Sequence, residues 1–166
     1  MIIQRSILSI FLLFSLFLSA SAEPAKAVPA DLYKKGSAVA AFQAKDQHGK
    51  DYQFKKGTKY LVVTFDMSTG KKVNKQLAAK GATYLTEKKA VYVANIFGMP
   101  GIGRAFALPK MRRYPHTIIL ADEENLLARF PKVDKKATVL TLNSQGVVQS
   151  VSYWDPKSQK VEEFLK

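Results

Sequence analysis

Three apolar runs that are rich in β-branched residues constrain this chain more than any other feature: residues 60–65 (YLVVTF), 90–97 (AVYVANIF) and 116–120 (HTIIL). Such short continuous runs are typical of strands that are covered on both faces. After the first run, Val73 and Leu77 recur at helical spacing. Strands that alternate with helices predict a central parallel sheet with helices on both of its faces.

The flanking segments extend this sheet. Residues 46–50 (DQHGK) predict a turn between two short strands, and residues 143–146 (NSQG) predict the loop of a closing β-hairpin. Asp122 is expected to cap a helix that carries Leu126, Leu127 and Phe130, and Asp155 is expected to open a last helix. The predicted fold class is therefore an α/β three-layer sandwich with a mixed central sheet, a C-terminal β-hairpin and a helix.

Three segments resemble the thioredoxin fold in its peroxiredoxin-like form. Residues 41–54 (AFQAKDQHGKDYQF) resemble the N-terminal hairpin of thiol peroxidases and cytochrome-maturation thioredoxins. Residues 114–130 (YPHTIILADEENLLARF) resemble the strand and helix that those proteins insert before their last hairpin, and residues 137–151 (ATVLTLNSQGVVQSV) resemble that hairpin. The resemblance implies a thioredoxin-like domain over residues 37–166.

The chain differs from that family at the positions of the reactive cysteines and of the cis-proline. The chain contains no cysteine, so thiol redox chemistry and cysteine-ligated zinc are excluded. Ser68, Thr69, Gly70 and Val73 stand at the strand-to-helix elbow, where the family keeps its reactive cysteines, and Ala137 stands where its cis-proline is expected. The sequence therefore predicts a fold that is retained without its redox chemistry.

The N-terminal segment reads as an export signal. Arg5 precedes the apolar residues 6–20, and Ala20 and Ala22 fit a small-x-small cleavage site. The apolar run is shorter than the roughly 20 residues of a membrane-spanning helix. We expect a signal peptide over residues 1–22, a linker over 23–36, a periplasmic location and no transmembrane segment in the mature chain.

The charge of the chain indicates anionic surroundings. Lysine and arginine number 26 against 13 acidic residues, giving a formal net charge of +13. In an exported protein, this excess favours an acidic protein or an anionic envelope component as partner. Nucleic acid is disfavoured by the compartment, and no basic stripe with interleaved aromatic residues indicates it.

The elbow supplies the candidate site, with two readings. In the first, Ser68 or Thr69 caps a helix and the lysines that follow are only solvated. In the second, Ser68, Thr69, Lys71 and Lys72 form an anion- or partner-binding site, because an anion on the free amides would offset the cost of cations at the positive end of a helix dipole. A phosphate loop is not supported, since Phe65 and Lys72 break its motif.

The remaining motifs give no cofactor, metal or catalytic site. Residues 98–104 (GMPGIGR) have the wrong glycine spacing for a dinucleotide fingerprint and predict a loop, followed by a short helix that Pro109 interrupts. His48 and His116 are expected on separate elements, so a zinc site is not indicated. The sequence favours an exported, redox-inactive binding or accessory module. The alternative is a cofactor-dependent oxidoreductase or antioxidant-type enzyme of the thioredoxin-like superfamily.

Overall fold

A computed structural model describes residues 31–166, so the predicted signal peptide and the first part of the predicted linker lie outside the described residues. Its strands are β1 (Gln43–Asp46), β2 (Asp51–Gln53), β3 (Tyr60–Thr64), β4 (Ala90–Asn95), β5 (Ile119–Ala121), β6 (Ala137–Leu142) and β7 (Val148–Trp154). Its helices are α1 (Met67–Lys80), α2 (Tyr84–Glu87), α3 (Gly101–Met111) and a 3-10 helix (Val161–Glu163). Over this part of the chain, every helix is too short or too polar to cross a bilayer.

The strands form one mixed sheet in the order β2-β1-β5-β4-β3-β6-β7. Strands β3, β4 and β5 are parallel neighbours, and β1 and β6 pair antiparallel with the outer two of them. The β1-β2 and β6-β7 hairpins complete the two sides. This arrangement confirms the predicted mixed sheet with a parallel centre and a closing hairpin.

Strand β3 is buried on both faces, because successive side chains of a strand point to opposite sides. Val62 faces a core that includes Val73 and Leu77 of α1. Leu61 and Val63 face a second core on the other side of the sheet. In the part of the chain that the structure describes, all of the helices pack on the first face, whereas non-helical segments cover the second.

Within residues 31–166, the second face lacks the helix that the sequence predicts for it, because residues 122–130 fold as consecutive turns. The Phe130 amide donates to the carbonyl of Leu127 at 3.0 Å, three residues back rather than the four of an α-helix. The carboxylate of Asp122 forms an ion pair with Arg104 and does not cap a helix. The predicted helix after Asp122 is therefore wrong, although Leu127 and Phe130 are buried against the sheet as expected.

Helix α3 is longer than predicted. It begins at Gly101, inside the loop predicted for residues 98–104, and continues past Pro109. Proline removes one amide donor near the end of the helix. The amide of Arg112 nevertheless donates to the carbonyl of Leu108 at 3.0 Å and closes the last turn. The predicted interruption at Pro109 is therefore wrong.

The helix predicted to open at Asp155 is also wrong. The Asp155 carboxylate accepts hydrogen bonds from the Lys157 amide at 2.8 Å and the Ser158 hydroxyl at 2.9 Å, which stabilise a turn. After Asp155, the described chain has helical structure only in the 3-10 helix Val161–Glu163. Val161 and Leu165 nevertheless pack in the core.

The described end of the predicted linker is packed onto the domain. Tyr33 is 5% exposed, and its ring meets the ring of Phe130 edge-on at 4.9 Å between centroids. The Tyr33 amide also donates to the carbonyl of Arg129 at 2.7 Å. Residues 31–36 therefore belong to the folded domain.

Candidate functional site: the elbow and the groove beside it

The elbow between β3 and α1 is closed by Asp66, the N-cap residue of α1. One carboxylate oxygen accepts the Thr69 amide and the other accepts the Thr69 hydroxyl, both at 2.8 Å. Partial burial opposes ionisation, but the hydrogen bonds from Thr69 and Ser68 outweigh it and lower the pKa of Asp66 below its ordinary value. The cap is therefore Asp66, and the reading in which Ser68 or Thr69 caps the helix is wrong.

The four residues of the predicted site differ in their accessibility. Thr69 is only 1% exposed and is bonded to Asp66, whereas Ser68, Lys71 and Lys72 are exposed. The Thr69 amide is already used, and an anion on the neighbouring amides would lie beside the Asp66 carboxylate. The lysine side chains, rather than the helix amides, are thus the groups available to an anion.

A groove of about 660 Å³ lies between α1 and α3, and we call it the α1/α3 groove. One wall consists of Met67, Gly70, Lys71, Asn74, Lys75 and Ala78 of α1. The opposite wall includes Gly103, Phe106, Ala107, Lys110 and Met111 of α3. Residues three and four apart share a helix face, so each helix contributes one continuous stripe to the groove.

The floor of the groove rests on a buried polar network. The hydroxyls of Thr64 and Tyr92 lie 3.0 Å apart, and the Asn74 amide group donates to the Gly70 carbonyl at 2.9 Å and the Tyr92 hydroxyl at 3.4 Å. The Asn74 carbonyl oxygen lies 2.9 Å from Nε2 of His116. Burial raises the pKa of Tyr92, which keeps this phenol neutral. The side-chain polar atoms of the floor therefore already have partners within the protein.

His116 is buried beneath the floor of the groove and contacts this network through Asn74. It is 1% exposed, and its ring stacks on Tyr114 at 5.5 Å between centroids. Burial lowers the pKa of His116 to about 4, so the ring is neutral at physiological pH. Its Nδ1 has no hydrogen-bond partner among the residues that the structure describes. Across residues 31–166, no three histidine, aspartate or glutamate side chains converge as metal ligands.

The rim of the groove is basic. Lys71 and Lys75 belong to the α1 wall and Lys110 belongs to the α3 wall, whereas Asp66 is the only acidic residue among residues 31–166 that lines the groove. None of the three lysines forms a salt bridge with a residue of the described chain. The charged side chains that line the groove therefore carry a net positive charge.

Large apolar side chains are exposed beside the groove. Ile102 is 75% exposed and Phe106 is 67% exposed, and α3 has no buried residue. Met67 and Phe97, near the carboxyl ends of β3 and β4, are 49% and 47% exposed. Apolar surface that is gathered in one place on a protein marks a ligand or partner site.

Sequence reasoning found the elbow but missed this groove. The apolar spacing of Ile102 and Phe106 on α3 was a usable signal, since residues four apart share a helix face. This signal was not used, because Pro109 was expected to interrupt the helix. The last turn of that helix carries Lys110. Lys75 and Lys110 therefore line the groove although the sequence analysis did not single them out.

Solved structures with the same fold identify the scaffold. A peroxiredoxin-like protein from Aquifex aeolicus has a TM-score of 0.55 at 10% identity, over 82% of this chain and 86% of that one. A 2-Cys peroxiredoxin from Plasmodium vivax has a TM-score of 0.52 at 13% identity, over 80% and 78%. The thioredoxin domain of a thiol-disulfide oxidoreductase from Bacteroides vulgatus has a TM-score of 0.50 at 16% identity, over 80% and 98%. No protein-family model matches the sequence, and no curated protein is significantly similar to it.

These likenesses, together with the mixed sheet and the helix that follows β3, define a thioredoxin-like fold, as the sequence predicts. The chain is a cysteine-free form of that fold. Ala137 begins β6, the strand at which the resemblance places a cis-proline, and the peptide bonds of residues 31–166 are all trans.

Proposed function

We propose that this chain is an exported, redox-inactive thioredoxin-fold module that binds an acidic protein or another anionic ligand of the cell envelope. The observation that carries the proposal is the composition of the elbow. It presents exposed lysines and no thiol at the carboxyl end of a central strand, which is where open α/β sheets commonly bind ligands.

The hydroxyls of the elbow support contact rather than catalysis. A serine or threonine nucleophile needs a neighbouring base, usually histidine, to take its proton. The Thr69 hydroxyl is instead buried and donates to Asp66. Within residues 31–166, the His116 ring bonds to Asn74 and to no hydroxyl.

The exposed side chains of the first turns of α1 form one surface. Ser68 lies three residues before Lys71 and four before Lys72, so the three share a face of the helix. Both lysines are exposed and form no salt bridge within the described chain. We call Ser68, Lys71 and Lys72 the basic face. Thr69 supports this face from inside the helix turn through Asp66.

Calorimetric titration with poly-L-glutamate at about 0.1 M salt, where the Debye length is about 10 Å, tests the proposal. Reversing the charges with Lys71→Glu and Lys72→Glu together should weaken binding by about tenfold, as two exposed charge pairs contribute on the order of 1 kcal/mol before reversal adds repulsion. The matched control is Lys55→Glu with Lys56→Glu, an adjacent exposed pair elsewhere on the surface that makes the same change in net charge.

The control separates a defined site from general charge attraction. The control pair should change the affinity by less than about threefold, because exposed charges beyond a Debye length are largely screened. Equal losses in both double variants, or no binding by the unaltered protein, would overturn the proposed basic face.

A further inference from the structure

We propose that the α1/α3 groove binds a single-chain amphiphilic anion, such as a long-chain carboxylate. This inference rests on the proposed function, because it names the chemical class of the anionic ligand. The groove adjoins the basic face through Lys71, which belongs to both, and adds the wall formed by α3.

The groove has the size and lining of a small-molecule site. Its volume of about 660 Å³ falls within the roughly 300–1,000 Å³ typical of ligand pockets. Met67 and Ala78 line one wall, while Phe106, Ala107 and Met111 line the other. Burying a hydrocarbon chain against these side chains is favourable, because it removes apolar surface from water.

The groove is also elongated, as a chain-shaped ligand requires. It extends along α1 from Met67 to Ala78. At 1.5 Å per residue, this stretch of helix is about 16 Å long. The ligand therefore lies along the two helices rather than across them.

The floor and walls suit a hydrocarbon better than an extended peptide. Thr64, Tyr92 and Asn74 are hydrogen-bonded to one another or to the protein, so covering them with a methylene chain leaves no new unpaired group. An extended peptide carries amides and carbonyls that need partners when buried. Helical walls offer few, because their backbone groups already bond within each helix.

The charges of the groove orient the ligand. Helices α1 and α3 both follow parallel strands and return along the same face of the sheet, so they run in the same direction. Asp66 precedes the first residue of α1, while Lys75 and Lys110 lie toward the other end of the groove on opposite walls. An anionic head group therefore lies between Lys75 and Lys110, and its apolar chain extends toward Met67.

Fluorescence titration of the folded chain with dansyl-undecanoate, followed by displacement with dodecanoate, tests this assignment. We expect saturable binding of one molecule per chain and full displacement by dodecanoate. The cation dodecyltrimethylammonium should bind at least tenfold more weakly than dodecanoate. Replacing both head-group lysines, Lys75→Gln and Lys110→Gln, should weaken dodecanoate by about tenfold and leave neutral dodecanol within about twofold.

A pair of α1 variants tests the groove itself. Ala78 lines the groove, whereas its neighbour Ala79 is exposed on the solvent side of α1. We expect Ala78→Phe to weaken dodecanoate and dodecanol at least tenfold and Ala79→Phe to leave both unchanged. Ala107→Phe, on the opposite wall, provides a second groove-filling variant should Ala78→Phe fail to fold, as shown by its circular dichroism.

The outcomes distinguish this inference from the proposed function. If poly-L-glutamate binds through the basic face but dodecanoate does not bind, the amphiphile assignment is wrong and the proposed function stands. Equal dodecanoate affinities in Ala78→Phe and Ala79→Phe would also overturn it, because adsorption on the exposed apolar surface would then explain the binding. Saturable binding of an acidic, apolar peptide in place of dodecanoate would overturn it in favour of a protein partner.

Discussion

The Asp66 carboxylate accepts both the amide and the hydroxyl hydrogen of Thr69, each at 2.8 Å. This pair closes the first turn of α1 at the elbow. The resemblance to thioredoxin-like proteins predicts reactive cysteines at the same place. Because Asp66 already accepts the Thr69 amide at this point, the exposed groups of the first turns of α1 are the side chains beyond the cap. The division between a structural cap and an exposed basic face underlies the proposed function.

Replacing the capping carboxylate should destabilise the domain. Asp66→Ala removes the acceptor for the Thr69 amide, and loss of an N-cap costs about 0.5–2 kcal/mol. Urea denaturation at neutral pH measures this cost. The control Asp134→Ala, at an exposed position, should stay within about 0.5 kcal/mol of the unaltered protein. Equal stabilities of the two variants would show that the cap does not stabilise α1.

Buried His116 should make the domain sensitive to mild acid. Burial lowers its folded-state pKa to about 4, so the unfolded chain binds a proton first as the pH falls. The contribution of neutral His116 is present above the unfolded pKa of about 6.5 and is lost as the pH falls toward 4, by at most about 2 kcal/mol at pH 5.

Urea denaturation at pH 7 and pH 5 measures this loss. The difference in unfolding free energy should shrink in His116→Gln and persist in His48→Gln, which replaces an exposed histidine. An unchanged difference in His116→Gln would contradict the assignment of the pH dependence to this ring.

Gly70 is a glycine that the backbone of α1 does not require. An added Cβ would lie 3.5 Å from the side-chain oxygens of both Thr64 and Tyr92, which is ordinary contact. Since alanine is favoured over glycine in a helix by about 1 kcal/mol, Gly70→Ala should raise the free energy of unfolding by up to that amount. A loss of stability in thermal or urea denaturation would show that this contact is tighter than the structure indicates.

Affinity for carboxylates should depend on chain length if the groove holds the apolar tail. Between octanoate and dodecanoate, each added methylene should lower the dissociation constant by at most about fourfold, corresponding to 0.8 kcal/mol. The gain should stop once the groove is filled. Displacement of dansyl-undecanoate below the critical micelle concentration measures the series. An affinity that does not vary with length would contradict an apolar tail site.

The sheet could be predicted because burial on both faces leaves a direct pattern in the sequence. In β3, all five residues from Tyr60 to Thr64 are buried, and they appear as one apolar run. The hairpins were likewise readable from their turns, since the Asp46 carboxylate accepts the amides of His48 and Lys50 as turn chemistry requires.

The segment after β5 could not be predicted from local pattern. Leu126, Leu127 and Phe130 fit helical spacing and a series of turns equally well. The Asp122 carboxylate, which was expected to cap a helix, instead forms a salt bridge with Arg104 of α3. Arg104 lies far from this segment in sequence. Tertiary contacts of this kind override local preference.

For a related reason, the sequence predicted the basic face of the candidate site but not the α1/α3 groove. The lysines of the basic face follow one strand directly, so one stretch of sequence contains them. The groove joins Lys75 to Lys110, which belong to different helices and meet only through the parallel pairing of β3 and β4. Residue spacing within one helix does not predict which residues of two different helices lie close together.

The central claim is that this thioredoxin-like domain acts by binding and not by turnover. Its most direct test is the consumption of hydrogen peroxide by the purified, cofactor-free protein in the presence of dithiothreitol, followed over time. We expect the rate of the protein-free solution. Peroxide consumption above that rate that is abolished by Ser68→Ala or Thr69→Ala would contradict the claim.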